Sequence, residues 1–268
     1  MSAEEKFIHF LHALGQHRGR TAGRHEQLSA HDHHGTNEIF QVSTLNAILQ
    51  GAYDGVVTYG HLRQHGDFGL GTFNGLDGEM VMVDGQVYQI KVDGSVSPVD
   101  DAMQTPFAVV EFFEPTWRRT IDQPLTLAEL PELLHSHFAS DNYFYAVRLD
   151  GHFAHVKARS VARQVKPYPP LVEVTKTQSI FALENVTGSL VGFRFPDYTQ
   201  GLNMPGLHLH FITDDRQAGG HVLDFQLTQG ELTVEHTAAF QLELPETEEF
   251  SQAGLDFDNR ELVRQAEQ

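Results

Sequence analysis

The stretch "DFGLGTFNGLDGEMVMVDGQVYQIKVDGSV", residues 67 to 96, decides the fold class of this chain. It consists of short runs of strand-forming residues that are separated by Gly, Asn-Gly and Asp-Gly turns. The pair Asp84-Gly85 stands between "EMVMV" and "QVYQI", and an Asp-Gly pair between two such runs is a strong signal for a hairpin turn. This stretch therefore predicts antiparallel strands joined by tight turns.

Similar runs continue along the rest of the chain, at residues 107–113, 143–161, 180–195, 207–213, 221–236 and 238–244. Apolar residues at helical spacing are fewer, and they predict helices from Ser43, near 59–64 and over 126–139. The last residues, 259–268, could form a short helix or a tail. We therefore expect a strand-dominated α+β fold, with two packed subdomains, mixed and antiparallel sheets and a few helices.

The domain organisation follows from composition. Residues 1–35 are expected to form a His-rich N-terminal arm, since much of this segment is polar and lacks periodicity. The Pro cluster "KPYPPL" at 166–171 falls between two blocks of strands, which indicates a junction. We expect an N-terminal α+β subdomain over 36–165, and a β-rich, metal-binding subdomain with an acidic tail over 166–268.

The bulk composition limits the possible partners. Acidic residues outnumber basic ones 36 to 18, so nucleic acid and anionic membrane surfaces would be repelled. The chain has no cysteine, which leaves His, Asp, Glu and backbone oxygen as metal ligands. Acids stand where a signal peptide would be basic, and no apolar run approaches the roughly 20 residues of a membrane span. We expect a soluble, cytoplasmic protein.

Three histidines in "GLHLHFITDDRQAGGHVLDF", residues 206–225, suggest a metal site. Side chains alternate along a strand, so His208 and His210 share a face. The turn formers that follow would bring His221 onto a neighbouring antiparallel strand, beside that pair. Three imidazoles without a thiolate match a site that leaves coordination positions open for substrate. The alternative is a set of half-exposed histidines on a polar strand face.

Three blocks of the sequence, 65–85, 159–171 and 206–225, together resemble the acetolactate decarboxylases, over a region from about residue 40 to the C-terminus. The resemblance implies a lyase that converts (S)-2-acetolactate to (R)-acetoin and CO2. It also implies a Zn²⁺ cofactor, a small anionic keto-acid substrate and a homodimer of two-domain subunits.

The resemblance further implies roles for individual residues. The metal ligands would be His208, His210 and His221. The catalytic residues would be Thr72 in "GTFN", Glu79 in "LDGE", Arg159 in "RSV", and Glu267 near the C-terminus, where Glu261 is close enough to compete. Arg159 would bind the substrate carboxylate or the oxygens of the enediolate that forms as CO2 leaves, and Glu79 or Glu267 would deliver the proton.

Without the resemblance, these residues have plainer interpretations. Glu79 would be a solvated carboxylate at a strand end, and Thr72 an ordinary strand former. Arg159 would share a solvated strand face with His155 and Lys157.

Two other functions are compatible with the histidines. A cupin-like oxygenase would hold Fe²⁺ with the three histidines and a nearby carboxylate, for which Asp214 or Asp215 would serve. A non-catalytic metal-binding protein would use the arm, which contains His17, His25 and "HDHHG" at 31–35. A flexible arm is a weak scaffold for a metal site, so solvated tail is the preferred interpretation of that segment.

Overall fold

The structure, a computed structural model, describes residues 38–138 and 140–266. The strands are β1 (Glu38–Val42), β2 (Val57–Thr58), β3 (Phe68–Thr72), β4 (Glu79–Val83), β5 (Gln86–Ile90), β6 (Val96–Pro98), β7 (Gln104–Thr105), β8 (Ala108–Glu111), β9 (Trp117–Ile121), β10 (Leu125–Thr126), β11 (Phe144–Ser160), β12 (Ser179–Phe195), β13 (Gly206–Thr213), β14 (Gly219–Thr237) and β15 (Ala239–Glu243). The α-helices are α1 (Leu45–Leu49), α2 (Tyr59–Leu62), α3 (Leu130–His137), α4 (Leu171–Val174), α5 (Glu248–Gln252) and α6 (Arg260–Ala266). Within these ranges, no helix combines the length and apolarity that crossing a membrane requires.

A seven-stranded sheet has the order β15-β1-β8-β3-β4-β5-β6. It is antiparallel except for the parallel pair of β1 and β15, so the sheet is mixed, as predicted. The predicted hairpin joins β4 to β5. Its turn residues Asp84 and Gly85 have φ values of 51° and 73°, which is the left-handed conformation that a two-residue type I′ turn requires.

A second, six-stranded sheet has the order β10-β14-β11-β12-β13, and β9 also pairs with β14. The first residues of β14 pair additionally with β13, so β14, β11, β12 and β13 close on themselves. Residues before and after the Pro cluster at 166–171 are therefore neighbours in one sheet. The subdomain boundary at residue 166 stays a prediction, and the predicted arm at 1–35 lies outside the described residues.

Three apolar clusters hold these layers together. One lies between the two sheets, another inside the closed strands beneath α3, and the third on the outer face of the seven-stranded sheet. Central strand β4 is buried on both faces, since Met80 and Met82 join the outer cluster while Val81 and Val83 join the cluster between the sheets. Burial on both faces explains why "EMVMV" is almost continuously apolar.

The predicted elements are largely present, with shifted ends. The helix expected from Ser43 begins at Leu45, because Ser43 has a φ of 65° and the Thr44 hydroxyl accepts a hydrogen bond from the Ala47 N–H. The helix expected over 126–139 is α3, and the helical alternative for the last residues is correct, as α6. Strands β1, β2, β7, β9 and β10 and helices α4 and α5 were not predicted.

Candidate metal centre and active site

The three histidines meet where β13 and β14 pair. His208 and His210 lie two residues apart on β13, and His210 is directly opposite His221 on the antiparallel strand β14. Nε2 of His208 is 3.2 Å from Nδ1 of His221. One ring nitrogen of each residue lies within 4.8 Å of the others. The structure thus brings together the set that the sequence predicted.

The ring of His210 is held in one orientation and one tautomer. Its Nδ1 lies 2.7 Å from the carbonyl oxygen of Met80, which can only accept, so Nδ1 donates the proton and Nε2 keeps a lone pair. Burial, and then the neighbouring His208 and His221, hold the pKa of His210 well below its usual range. His210 is therefore neutral and ready to act as a metal ligand.

The donor set fits a divalent metal ion such as Zn²⁺. Two nitrogens that bind one Zn²⁺ at about 2.0–2.1 Å in a tetrahedral arrangement lie roughly 3.3 Å apart, close to the separation of His208 and His221. Among the described residues, this is the one group of three or more His, Asp or Glu side chains that brings ligand atoms close enough to share an ion.

Glu79 lies between the histidines and Arg159. Its Oε2 is 3.6 Å from Nε2 of His210, and its Oε1 is 3.7 Å from Nη1 of Arg159. Glu79 is the first residue of β4 and pairs across the sheet with Thr72 of β3. The Thr72 hydroxyl donates to the carbonyl of Gly78 at 2.7 Å, which ties the start of β4 to β3.

The solvated interpretation of Glu79 and Arg159 is wrong, whereas Thr72 is a strand residue, as its plainer interpretation expected. Glu79 is only 7% exposed, Arg159 5% and Thr72 8%. Arg159 pairs with His221 across β11 and β14, and the bulge in this pair lies on β14, where Leu223 is the extra residue between the partners of Lys157 and Ala158. Arg159 keeps the face that alternation along β11 predicts, and it is buried because Glu79 of β4 lies against that face, which the local pattern could not show.

All six described candidates line one cavity of about 70 Å³. These are Thr72, Glu79, Arg159, His208, His210 and His221. The rest of the wall is mainly apolar and was not predicted as part of a site: Leu45, Ile48, Leu76, Phe107, Val161 and Leu171. Leu76, Val161 and Leu171 lie inside the sequence blocks that carried the family resemblance. Membership in those blocks was the one sequence feature that could have marked them as site residues. The cavity suits a small molecule with polar groups at one end.

Comparison with known proteins agrees with this geometry. The family model described as alpha-acetolactate decarboxylase matches residues 39–257. The alpha-acetolactate decarboxylase of Methanosarcina mazei is 48% identical over 229 residues, which is 85% of this chain and 80% of that protein. The crystal structure of the Bacillus subtilis strain 168 alpha-acetolactate decarboxylase superposes with a TM-score of 0.84 at 41% identity, covering 86% of this chain and 99% of that one. The chain belongs to the alpha-acetolactate decarboxylase family.

Membership in the alpha-acetolactate decarboxylase family confirms two expectations drawn from the sequence. The resemblance is correct, and the chain is an enzyme, a carbon–carbon lyase that removes a carboxyl group. The strand-rich architecture agrees with the solved structure of the Bacillus subtilis relative.

The C-terminal region of this family member contains two candidate proton donors, Glu267 and Glu261. Glu267 lies outside the described residues. Its competitor Glu261 is an exposed residue of α6, where hydrogen bonds from Gln265 and then Arg264 lower the pKa of its carboxyl group. Glu261 is also paired with Arg264 and does not line the cavity, so it is a poor substitute for Glu267 as a proton donor.

The carboxylates proposed for an iron oxygenase are not at the site of this decarboxylase. Asp214 and Asp215 are exposed in the turn between β13 and β14, and Asp215 accepts a hydrogen bond from the Thr213 hydroxyl at 2.7 Å. Neither belongs to the group that can share a metal ion with the histidines.

Proposed function

We propose that this chain converts (S)-2-acetolactate to (R)-acetoin and CO2, with a Zn²⁺ held by His208, His210 and His221. The observation that carries the proposal is the convergence of these three rings in a buried cavity that also contains Arg159 and Glu79. When bound, Zn²⁺ supplies a Lewis acid that stabilises the negative charge developing on the substrate's ketone oxygen as CO2 leaves.

The ligand set preserves the charge of the metal. Imidazoles bind as neutral groups, whereas thiolates would cancel the positive charge and weaken its effect on the carbonyl. The lowered pKa of His210 keeps this ring in the neutral form. The absence of cysteine from the chain suits this use of histidine alone.

Arg159 binds the anionic end of the substrate. Its planar guanidinium presents two parallel N–H donors to a carboxylate, and its burial limits competition from water. The chain carries a net charge of −18, yet Arg159 is a cation within the cavity, and screening by salt weakens the more distant surface charges. Local charge therefore selects an anionic substrate.

Glu79 is a candidate donor of the proton that replaces CO2 on the substrate carbon. Its carboxyl group lies beside both His210 and Arg159, so it borders the position where the reacting carbon would sit. A proton delivered from one side gives one enantiomer of acetoin. Glu267 is the second candidate donor, by its position in the family pattern, and Thr72 supports the site by fixing the start of β4.

One experiment tests the proposal directly. Purified protein is incubated with racemic acetolactate, while acetoin handedness, CO2 release and bound metal are measured together. We expect (R)-acetoin, CO2 without a need for O2, and about one Zn²⁺ per chain. An O2 requirement with bound iron would favour the oxygenase. Several metal ions per chain that are lost on deleting residues 1–35 would favour the metal-binding protein.

The expected homodimer and cytoplasmic location complete the proposal. The first rests on the family resemblance. Sedimentation of the purified protein at several concentrations measures the first, and fractionation of cells measures the second.

A further inference from the structure

Two buried hydroxyl groups meet at the end of strand β3, behind the wall of the substrate cavity. The Tyr59 hydroxyl donates to the carbonyl oxygen of Thr72 at 2.8 Å, and the Thr105 hydroxyl donates to the same oxygen at 2.7 Å. Tyr59 and Thr105 are both fully buried. Thr72 lines the cavity, whereas these two residues lie outside its wall. We call Tyr59 and Thr105 the hydroxyl pair.

The Thr105 hydroxyl takes the place of a backbone hydrogen bond. In a hydrogen-bonded antiparallel pair, two opposite residues exchange two N–H···O=C bonds. Here the Thr72 N–H donates to the Phe107 carbonyl at 3.0 Å, but the return connection runs through a side chain. The Thr105 hydroxyl accepts from the Phe107 N–H at 3.1 Å and donates to the Thr72 carbonyl. This hydroxyl therefore joins two strand ends that both line the cavity.

The second hydroxyl, of Tyr59, makes the contact to Thr72 independent of the first. Oγ1 of Thr105 also lies 2.8 Å from the carbonyl oxygen of Phe107, so its one proton serves two acceptors. A buried carbonyl that loses its donor is unfavourable, and Tyr59 supplies a further donor to Thr72. Burial raises the pKa of Tyr59 well above its usual range, so the phenol keeps its proton.

A short path leads from the hydroxyl pair to Glu79. The Thr72 hydroxyl donates to the carbonyl of Gly78 at 2.7 Å, and Gly78 directly precedes Glu79. Gly78 has a φ of 92°, and an added Cβ would clash with the carbonyl of Ile90, so this segment is packed tightly against β5. A shift of the Thr72 backbone would therefore pass to the first residue of β4, whose carboxyl group lies 3.6 Å from His210.

We propose that Tyr59 and Thr105 are positioning residues for the decarboxylation, whose hydroxyls fix the backbone of Thr72 and thereby the placement of the Glu79 carboxyl group beside the metal site. The inference rests on the proposed function and extends it to residues outside the cavity. It gives the buried hydroxyls a role in the rate and in the handedness of the product.

Thr105→Val and Tyr59→Phe test the proposal, because each removes one hydroxyl and nearly preserves the side-chain shape. We expect kcat to fall about 10-fold in each variant, since small errors in placing a reacting group have large effects on rate. KM should change less than about 2-fold, because Arg159 is not altered. The product should contain more of the minor acetoin enantiomer. Zinc content should stay at the wild-type value, because the three histidines are unchanged.

The double variant and a conservative variant separate the hydroxyls from packing. Because each hydroxyl partly replaces the other at the Thr72 carbonyl, Tyr59→Phe combined with Thr105→Val should lower kcat by more than the product of the two single effects. Thr105→Ser keeps the hydroxyl but loses a buried methyl group, so kcat should stay within about 2-fold of the wild type. Equal losses of kcat in Thr105→Ser and Thr105→Val would show a packing role and overturn the proposal.

Tyr145→Phe is the matched control for Tyr59→Phe. Tyr145 is 3% exposed and donates to a backbone carbonyl, that of Ser140, at 2.7 Å, but it lies outside the cavity wall. This variant should keep the wild-type kcat and handedness.

Hydrogen exchange, measured without substrate, tests the structural path by itself. The amides of residues 72–80 should exchange faster in Tyr59→Phe and in the double variant, and at the wild-type rate in Tyr145→Phe. A folded double variant with wild-type kcat and handedness would overturn the positioning role, and unchanged exchange over 72–80 would overturn the path to Glu79. A wild-type protein that makes no acetoin would reject the proposed function instead, and the exchange rates would still test the path.

Discussion

At the scale of the residue, the charge and the orientation of the His210 ring depend on the groups that surround it. His210 is neutral and oriented because its pKa is depressed by burial and its Nδ1 proton is used by the Met80 carbonyl. This contact also joins the two sheets, since Met80 belongs to β4 and His210 to β13. The geometry of this candidate metal site thus depends on a backbone acceptor that is distant in the sequence.

Replacing one ligand should remove both metal and activity. We expect His208→Ala to lose its tightly bound zinc and to reduce kcat/KM at least about 100-fold. His155→Ala is the control, because His155 is a partly exposed strand residue near Asp224, outside the cavity. Metal analysis and decarboxylation assays check both variants. A metal-free His208→Ala protein with wild-type activity would reject the ligand assignment.

Arg159 should be irreplaceable by another cation. Arg159→Lys keeps the positive charge but loses the planar pair of donors, so KM for acetolactate should rise about 10- to 100-fold. Arg118→Lys serves as the comparison, because Arg118 is mostly exposed on β9. Steady-state kinetics measures the effect. An unchanged KM in the Arg159 variant would show that the carboxylate binds elsewhere.

The proton donor can be identified from the product. Changing the true donor to glutamine should leave zinc bound and reduce both kcat and the excess of (R)-acetoin, by about 100-fold in kcat. We compare Glu79→Gln and Glu267→Gln with Glu261→Gln, whose carboxyl group is exposed and paired with Arg264. Chiral chromatography of acetoin reads the outcome. Full handedness in both candidate variants would mean that the proton comes from another group.

At the scale of the element, the start of β14 sets the position of His221. Gly220 has a φ of 141°, and a Cβ added there would lie 2.5 Å from the carbonyl oxygen of Arg159. Only glycine lets β14 approach β11 this closely. The pairing of His221 with both Arg159 and His210 depends on that approach.

Gly220→Ala should therefore weaken both stability and metal binding. We expect a loss of at least about 3 kcal/mol in the free energy of unfolding, together with lower zinc affinity, because β14 must shift away from β11. Gly206→Ala is the matched control for Gly220→Ala. Gly206 also has a positive φ, of 90°, but its added Cβ would lie in open space. It should cost roughly 1–2 kcal/mol of backbone strain. Thermal unfolding with and without zinc compares them, and equal losses would contradict the close-approach argument.

At the scale of the whole molecule, the two sheets also meet at a group of buried acids. Glu111 of β8 and Glu235 of β14 are 1% and 2% exposed, and the Thr237 hydroxyl donates to Glu111 across the sheets at 2.9 Å. Burial, then the charges of Glu114 and Asp67, raise the pKa of Glu235 to about 7. Burial and the charge of Glu235 raise the pKa of Glu111.

These acids should make stability fall as the pH rises. Between the ordinary glutamate pKa of 4.5 and about 7, the unfolded chain releases the Glu235 proton while the folded chain retains it. Glu235→Gln removes this penalty, so its gain in unfolding free energy should be small at pH 5 and up to about 3 kcal/mol at pH 8. Urea unfolding measures it, with the partly exposed Glu231→Gln on the same strand as the control. A gain that does not depend on pH would contradict the raised pKa.

The sequence by itself determined the local features. Turn residues such as Asp84-Gly85 and the alternation in "LHLHF" act over a few residues, so they specified the hairpin and the shared face of His208 and His210. The family blocks indicated the chemistry and the remaining site residues. Only the tertiary structure decided how these parts meet. The burial of Arg159 against Glu79 of β4, the Met80 contact of His210, and the strands β1 and β9 each depend on partners far apart in the chain, and local pattern does not encode such long-range packing.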